Sequence, residues 1–318
     1  MKPAAIIIGR NEGERFHACL ASLGDRFSNV IYVDSGSTDG SIEAAQAAGI
    51  EVVHLDTSQP FTAARARNAG LERLNGRDDK PDFVQFIDGD CVLQPDWIKT
   101  ATDFLRDTPQ AAMVCGRRRE RFPQASVYNH LIDAEWDTPH GQVSACGGDV
   151  LGRMTALNQV DGFNPDLIAG EEPELCLRLR AKGWDIWRID AEMTLHDAAM
   201  TRFNQWWQRA RRAGYTYAEG VAMYGRSPER YKRRELASAL TWGLGLPLAL
   251  LFAAIALTPW MLAGFLIYPL QVLRLRRRGL PWAQALFLTL GKFPETQGAL
   301  TYGWRRLIGA RARLIEYK

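Results

Sequence analysis

Residues 83 to 90 read Phe83-Val84-Gln85-Phe86-Ile87-Asp88-Gly89-Asp90, an apolar run that closes on two carboxylates separated by one glycine. Side chains alternate along an extended chain, so Asp88 and Asp90 point the same way. Two like charges facing one cavity repel unless a cation lies between them, and hard divalent cations such as Mg2+ and Mn2+ take oxygen ligands of this kind. An isolated Asp-x-Asp is usually a polar turn whose second carboxylate caps a helix. The chain around this one points elsewhere.

Three β-branched apolar runs precede it, from Ala4 to Ile8, Val30 to Val33 and Ile50 to Leu55, and helical patterns near Glu12 to Leu23, Asp39 to Ala48 and Phe61 to Leu74 separate the four. This rhythm predicts an α/β fold, a Rossmann-like, mostly parallel sheet covered on both faces. Ligands of such sheets sit beyond the carboxyl ends of the strands. The polar residues that close the runs are Asn11 and Glu12, Asp34, and Asp88 with Asp90. Beyond Pro95 the pattern predicts a helix near Asp96 to Leu105, a strand near Ala112 to Gly116, and loop as far as Asp166. A helix from about Pro173 to Lys182 and a strand from Asp185 to Ile189 follow.

The loop Val33-Asp34-Ser35-Gly36-Ser37-Thr38-Asp39-Gly40 is small and polar. Small residues let a planar ligand approach the backbone. Asp34 is suited to accept a hydrogen bond from a nucleobase, and Asp39 to cap the helix that follows.

At 318 residues the chain is long enough for one large α/β domain plus an appendage, or for two modest domains, and its 39 basic and 36 acidic residues nearly cancel to +3. The distribution is more telling than the sum. Arg202, Arg209, Arg211, Arg212, Arg226, Arg230, Lys232, Arg233 and Arg234 crowd a stretch that runs into a segment with no charged residue from Leu236 to Leu273. At ~1.5 Å per residue that segment exceeds the ~30 Å hydrocarbon core of a bilayer. Thr258-Pro259 interrupts it, which favours two short spans or a re-entrant hairpin over one span; a buried soluble helix pair is the competing reading. Arg274, Arg276, Arg277 and Arg278 flank its far end, so by the positive-inside rule both ends face the cytoplasm. The region after Gly279 is amphipathic and suits the membrane interface. The expected division is a catalytic domain over 1–225 and a basic, helical membrane anchor over 226–318. Anionic lipid is the expected partner of the basic residues, with no role for nucleic acid.

Cys19, Cys91, Cys115, Cys146 and Cys176 are scattered with no two-residue spacing of a zinc or redox motif, which fits a reduced compartment. A strand-like run begins at Ala4, so no cleavable export signal is expected ahead of it. The inner (cytoplasmic) membrane, with the catalytic domain in the cytoplasm, is the expected location.

Taken together, Ile6 to Glu12, the Val-Asp-Ser-Gly-Ser-Thr-Asp loop, Arg67-Asn68, Asp88-Gly89-Asp90 and Gly170-Glu171-Glu172-Pro173-Glu174 resemble, in order and spacing, the family 2 glycosyltransferases of GT-A fold. The resemblance covers about residues 3 to 220. It implies an inverting, metal-dependent enzyme that moves one sugar from a nucleotide-sugar donor, with Mn2+ or Mg2+ as cofactor. Asp34 then contacts the nucleobase, with Asn11 and Glu12 beside the nucleotide and Arg67 near its phosphates. Asp88 and Asp90 serve the ribose and the metal. Glu172 stands where the family has its catalytic Asp; the extra methylene leaves Glu171 as the alternative base. His196 resembles the late histidine that completes the metal site, although a lone His is as often structural. Gly148 and Asp149 lie where related enzymes close over donor and acceptor, and a plain turn is the bland alternative. Arg119 belongs to a basic cluster, Arg117 to Arg121, that is ordinarily a solvated face but beside a diphosphate is suited to an anionic lipid phosphate. The expected acceptor is a lipid or lipid-linked saccharide. Gln205-Trp206-Trp207-Gln208-Arg209 resembles the signature of processive synthases with the order wrong, which favours addition of a single sugar. A nucleotidyltransferase is the rival enzyme, but its Gly-rich phosphate loop is missing; a non-catalytic membrane scaffold predicts eroded carboxylates, and these are present.

Overall fold

The computed structural model of the protein describes residues 2–56, 58, 59 and 61–309. The chain forms two compact units, one made of the residues up to Ala125 together with Ile132–Ala199, the other of Ser126–Leu131 and the chain from Met200 onward.

In the first unit the strands are β1 (Ala4–Gly9), β2 (Val30–Asp34), β3 (Glu51–His54), β4 (Phe83–Asp88), β5 (Cys91–Leu93), β6 (Ala111–Glu120), β7 (Gly141–Gln142), β8 (Val150–Arg153) and β9 (Asp185–His196). They make one sheet of order β3-β2-β1-β4-β8-β6-β9-β5, with β7 also paired to β9. Strands β1 to β4 run parallel, β8 is antiparallel to β4 and β6, and β5 is antiparallel to β9. Helices α1 (Glu14–Leu23), α2 (Ser41–Ala47), α3 (Ala63–Asn75) and α4 (Trp97–Asp107) connect the early strands. Central strands buried on both faces require continuous apolar runs, and Ala4 to Ile7, Ile31 to Val33 and Val84 with Phe86 and Ile87 are all buried. Two polar side chains in this core satisfy each other. The Trp97 indole donates to Gln85 Oε1 at 2.8 Å, and leaving either group unmade costs about 1–3 kcal/mol.

Order and direction fix where a ligand sits. β2 and β3 lie on one side of β1 and β4 on the other, so chain progression reverses there, which opens a crevice at the carboxyl ends. Ile8 is in register with Asp88, and Gly9 with Asp34. Two strands exceed their expected length. β6 continues past Gly116 to Glu120 and β9 past Ile189 to His196, because the two pair along that whole extension across register shifts near Cys115 and Arg117. Arg117, Arg118 and Arg119 therefore lie within a strand, and His196 ends opposite Cys91 of β5.

The first unit also holds α6 (Met154–Asn158) and α7 (Glu171–Ala181); α5 (Val127–Glu135) spans the boundary in sequence. The second unit is helical: α8 (Phe203–Tyr224), α9 (Arg233–Leu240), α10 (Leu246–Ala256), α11 (Ile267–Arg277), α12 (Trp282–Leu290) and α13 (Lys292–Leu307). The compact units divide near residue 200. Helix α8 belongs with the later helices because Trp206 packs edge-on to Phe287 at 4.8 Å and the Trp207 indole donates to Gln297. A π-helical turn at Thr241–Gly245 joins α9 and α10 into one helix, Arg233–Ala256, of 24 residues, long and apolar enough to cross a membrane. It stops at Leu257. Pro259 opens a 3-10 helix, Pro259–Leu266, which returns along it with Leu250 against Gly264 and leads into α11. The outcome is a helical hairpin with Phe252, Ile255, Leu257, Trp260 and Leu266 exposed by 61 to 88%.

Candidate active site

Asp88 closes β4, and the chain turns through Gly89 to Asp90 before β5. The Gly89 amide donates to Ile8 O at 2.8 Å. A side chain there would begin 3.2 Å from that oxygen and 3.3 Å from Glu12 Cγ, so any larger residue crowds the turn between the two acids. Asp88 Oδ1 accepts from Arg67 Nη2 at 3.0 Å, and Oδ2 lies 3.4 Å from Arg118 Nη2. The Asp88 amide donates to Asp149 Oδ1 at 3.1 Å, while Asp149 Oδ2 accepts from the Thr194 hydroxyl at 2.9 Å and faces Arg118 at 3.5 Å.

Arg67, on α3, is only 2% exposed. Its Nη1 lies 2.9 Å from both Glu171 Oε1 and Glu172 Oε1. Those two glutamates open α7, where free amides and the helix dipole favour negative charge. Glu171 is buried and Glu172 sits nearer the surface. Gly148 covers the cluster: a Cβ there would collide with the Arg67 guanidinium and lie 3.1 Å from both Asp88 Oδ2 and Glu172 Oε1. Asp90 is buried, with Oδ2 3.3 Å from His196 Nε2, and the Cys91 thiol donates to its other oxygen. The Trp136 ring meets the His196 ring edge-on at 5.0 Å, and the Arg118 guanidinium lies 4.8 Å from the centre of the same indole.

The electrostatics follow from this crowding. Burial alone would raise the Asp88 carboxyl, but Arg67 and Arg118 outweigh it and hold Asp88 below the ordinary carboxylate range. Glu172 goes the other way: burial, reinforced by the adjacent Glu171, pushes it up to about 7 against the pull of Arg67. Burial also drives the Cys91 thiol well up, so it stays protonated. Four carboxylates, Asp88, Asp149, Glu171 and Glu172, pair with the guanidinium groups of Arg67 and Arg118, while the fifth, Asp90, faces His196.

Donor atoms of Asp90, Cys91 and His196 lie within 4.8 Å of one another, as do those of Asp88, Cys91 and Asp149. The protonated thiol is a poor ligand for a hard cation, and Asp149 spends its oxygens on Asp88, Thr194 and Arg118. What suits a divalent ion is the pair Asp90 and His196, carboxylate oxygen and imidazole nitrogen, with Asp88 beside it.

The structure thus brings together Arg67, Asp88, Asp90, Glu171, Glu172, Gly148 and His196. Asp34 lies on the far side of β1, buried, with Oδ2 accepting the Gly36 and Ser37 amides at 2.8 and 3.0 Å and Oδ1 accepting the Tyr32 hydroxyl. Asn11 braces the same loop, donating its amide to Ser37 Oγ and accepting the Thr38 amide on its side chain at 2.8 Å. The Glu12 carboxylate pairs with Arg15 at 2.8 Å. Two residues differ from expectation. Asp149 is 1% exposed and turned inward, taking the Asp88 amide on Oδ1 and the Thr194 hydroxyl on Oδ2. Arg119 points outward into a two-pronged pair with Glu192, and its neighbour Arg118 enters the cluster instead. Alternation separates these two arginines to opposite faces, but only the pairing with β9 says which faces inward.

This sheet and acid cluster define a glycosyltransferase domain of GT-A type. The model of Glycosyl transferase family 2 matches residues 4–151, and that of Glycosyl transferase family group 2 matches residues 83–290, more than half of the chain. The protein belongs to the family 2 glycosyltransferases. The pre-mycofactocin glycosyltransferase of Mycobacterium tuberculosis is 28% identical over 225 residues, covering 66% of this chain and 45% of that protein. A TPR repeat-containing protein of Synechococcus elongatus is 33% identical over 127 residues, 39% of this chain and 29% of its own length. The chain spans less than half the length of these curated relatives. Among solved structures, the mannosyltransferase PcManGT from Pyrobaculum calidifontis, in complex with GDP-Man and Mn2+, shares the fold with a TM-score of 0.67 at 19% identity, over 96% of this chain and 88% of that one.

Proposed function

We propose that this glycosyltransferase transfers one sugar, with inversion, from a nucleotide sugar to a lipid or lipid-linked acceptor at the cytoplasmic face of the inner membrane. Glu172 is the base, and Asp90 and His196, with Asp88 beside them, hold a Mn2+ or Mg2+ ion. The observation that carries the reading is the Glu172 carboxyl near 7, held 2.9 Å from the guanidinium that also grips Asp88. A carboxylate with that affinity can take a proton from an acceptor hydroxyl at neutral pH. Direct displacement at the anomeric carbon needs only one such base, and it inverts configuration.

Each group in the cluster has a task. A bound divalent cation offsets the charge of the departing diphosphate. Arg67 holds Glu172 and Asp88 at fixed separation, and the Glu171 charge beneath them keeps Glu172 basic. Asp149 and Arg118 set the Asp88 main chain and side chain. The loop organised by Asp34 and Asn11 forms the bed for the nucleobase, and Glu12 lies between it and the acid turn. The mannosyltransferase of the same fold, solved with GDP-Man and Mn2+, supports a nucleotide-sugar donor and this class of metal. The exposed apolar hairpin and the basic residues at its base support membrane attachment, because a bare apolar surface of that length is costly in water and arginine attracts anionic headgroups.

The test is donor turnover. UDP and GDP sugars, assayed with and without Mn2+, should yield one donor that turns over only with metal. Asp90→Ala should abolish that turnover with the protein still folded; unchanged turnover in Asp90→Ala ends the proposal.

A further inference from the structure

Glu120 ends β6 with its side chain fully shielded from solvent, directly opposite His196 in the β6–β9 ladder. A buried carboxylate without compensation is expensive. Here two main-chain donors secure it: Oε1 accepts the Phe122 amide at 3.0 Å and Oε2 the Ala198 amide at 2.9 Å. The same strand ends are sewn together by the Arg121 amide, which donates to His196 O at 2.8 Å, and the Glu120 amide is anchored on Asp133 Oδ1 at 2.9 Å. The carboxylate therefore has its place fixed from both flanking segments.

The imidazole beside it is equally confined. Nε2 faces Asp90, the Trp136 ring meets the imidazole edge-on, and among the described residues buried Nδ1 has no hydrogen-bond partner within ordinary distance. The polar atom facing Nδ1 is Glu120 Oε2, 3.8 Å away. A neutral imidazole carries one N–H, and the nitrogen without it is the one that can bind a metal. Asp90 competes for the proton from the Nε2 side, but once a cation takes up its charge, the Glu120 carboxylate facing Nδ1 favours the N–H there and leaves the Nε2 lone pair for the metal.

We infer that Glu120 is a positioning residue that fixes the tautomer and orientation of His196 so that Nε2 serves as the metal ligand. The inference rests on the metal site proposed above. Glu120 touches neither donor nor acceptor and acts only through His196. The competing role is purely structural, a carboxylate that ties the loops at Phe122 and Ala198, and the two roles differ in what they do to metal affinity.

The experiment titrates Mn2+ into the full-length protein, alone and with GDP or UDP against protein-free controls, and reads bound ion from the loss of free-ion paramagnetic resonance. Glu120→Gln keeps the volume and removes the charge; it should weaken Mn2+ binding about 10- to 100-fold. In a His196→Ala background the same change should have no further effect. Wild-type affinity in Glu120→Gln, or an equal loss in both backgrounds, overturns the inference while leaving the metal site in place. If the wild-type protein binds no Mn2+ under any of these conditions, the metal reading falls and this inference with it. Should Glu120→Gln not fold, Glu120→Asp keeps the charge but withdraws it by one methylene, and unchanged affinity there is equally decisive against the role.

Discussion

Glu172→Gln separates stability from activity in a way that few other readings of this residue would produce. A carboxyl raised from an ordinary 4.5 to about 7 is one whose neutral form the fold prefers. That stabilisation is fully present below 4.5, where folded and unfolded chains are both protonated, and is lost as pH rises through about 7. Above that point the folded protein holds a poorly solvated charge at a cost of roughly 3 kcal/mol, taking about 1.4 kcal/mol for each tenfold change. Its side chain is only 15% exposed, so solvent screens little of this. Glutamine has the same shape without the charge. In metal-free buffer the variant should therefore melt several degrees above wild type at pH 8.5, and this advantage should shrink steadily toward pH 4.5. Transfer with Mn2+ and donor should meanwhile fall by about 10²- to 10⁴-fold, and the rising limb of kcat/KM near pH 7 should vanish. Identical melting of the two proteins at both pH values, or a variant that retains transfer, would refute the assignment of Glu172 as a buried base.

The paired arginines supply a contrast within one strand. Arg118→Lys replaces a fork that reaches both Asp88 and Asp149 by a single point charge, and should reduce transfer about 10-fold or more. Arg119→Lys alters an exposed pair worth about 1 kcal/mol at most and should stay within about twofold; the reverse ranking in a transfer assay would show that the strand faces have been misassigned. At the hairpin turn, Leu257→Asp combined with Trp260→Asp places two charges where hydrocarbon is proposed, at about 3 kcal/mol each. Sedimentation with membranes should fall sharply, and an unchanged pellet fraction would remove the hairpin from membrane attachment.

Much of the first unit is legible in the sequence because its signals are local. Apolar runs such as Ala4 to Ile7 can only be strands buried on both faces, and the helices between them keep their period. Asp88 and Asp90 are separated by one glycine, so their nearness is local, although Asp90 lies in the turn after β4 and not in the strand. The fate of Arg118 and Arg119 is different. It depends on register shifts between β6 and β9, a property of two strands some 70 residues apart in the chain. Asp149 escaped for a related reason: a carboxylate in a polar loop looks available until the Asp88 amide and Thr194 are brought to it by β8 and β9. The boundary near residue 200 likewise reflects the packing of Trp206 on Phe287, a contact with no local signature.

One physical thread connects these points. Lining a cavity with this many acids is unfavourable unless cations offset them, and here two of the acids are driven apart by their distance from two guanidinium groups. Asp88 touches both and is held ionised, whereas Glu172 touches one, sits over Glu171 and is driven toward neutrality. Removing the Arg67 charge would therefore disturb the two carboxyls in the same direction, raising both, but with opposite consequences for chemistry. Asp88 would lose the ionised form suited to a cation, while Glu172 would become a stronger base that is protonated over more of the neutral range. A lysine or glutamine at position 67 is in this respect a poor surrogate, because neither can span Asp88 and the start of α7 with one rigid plane.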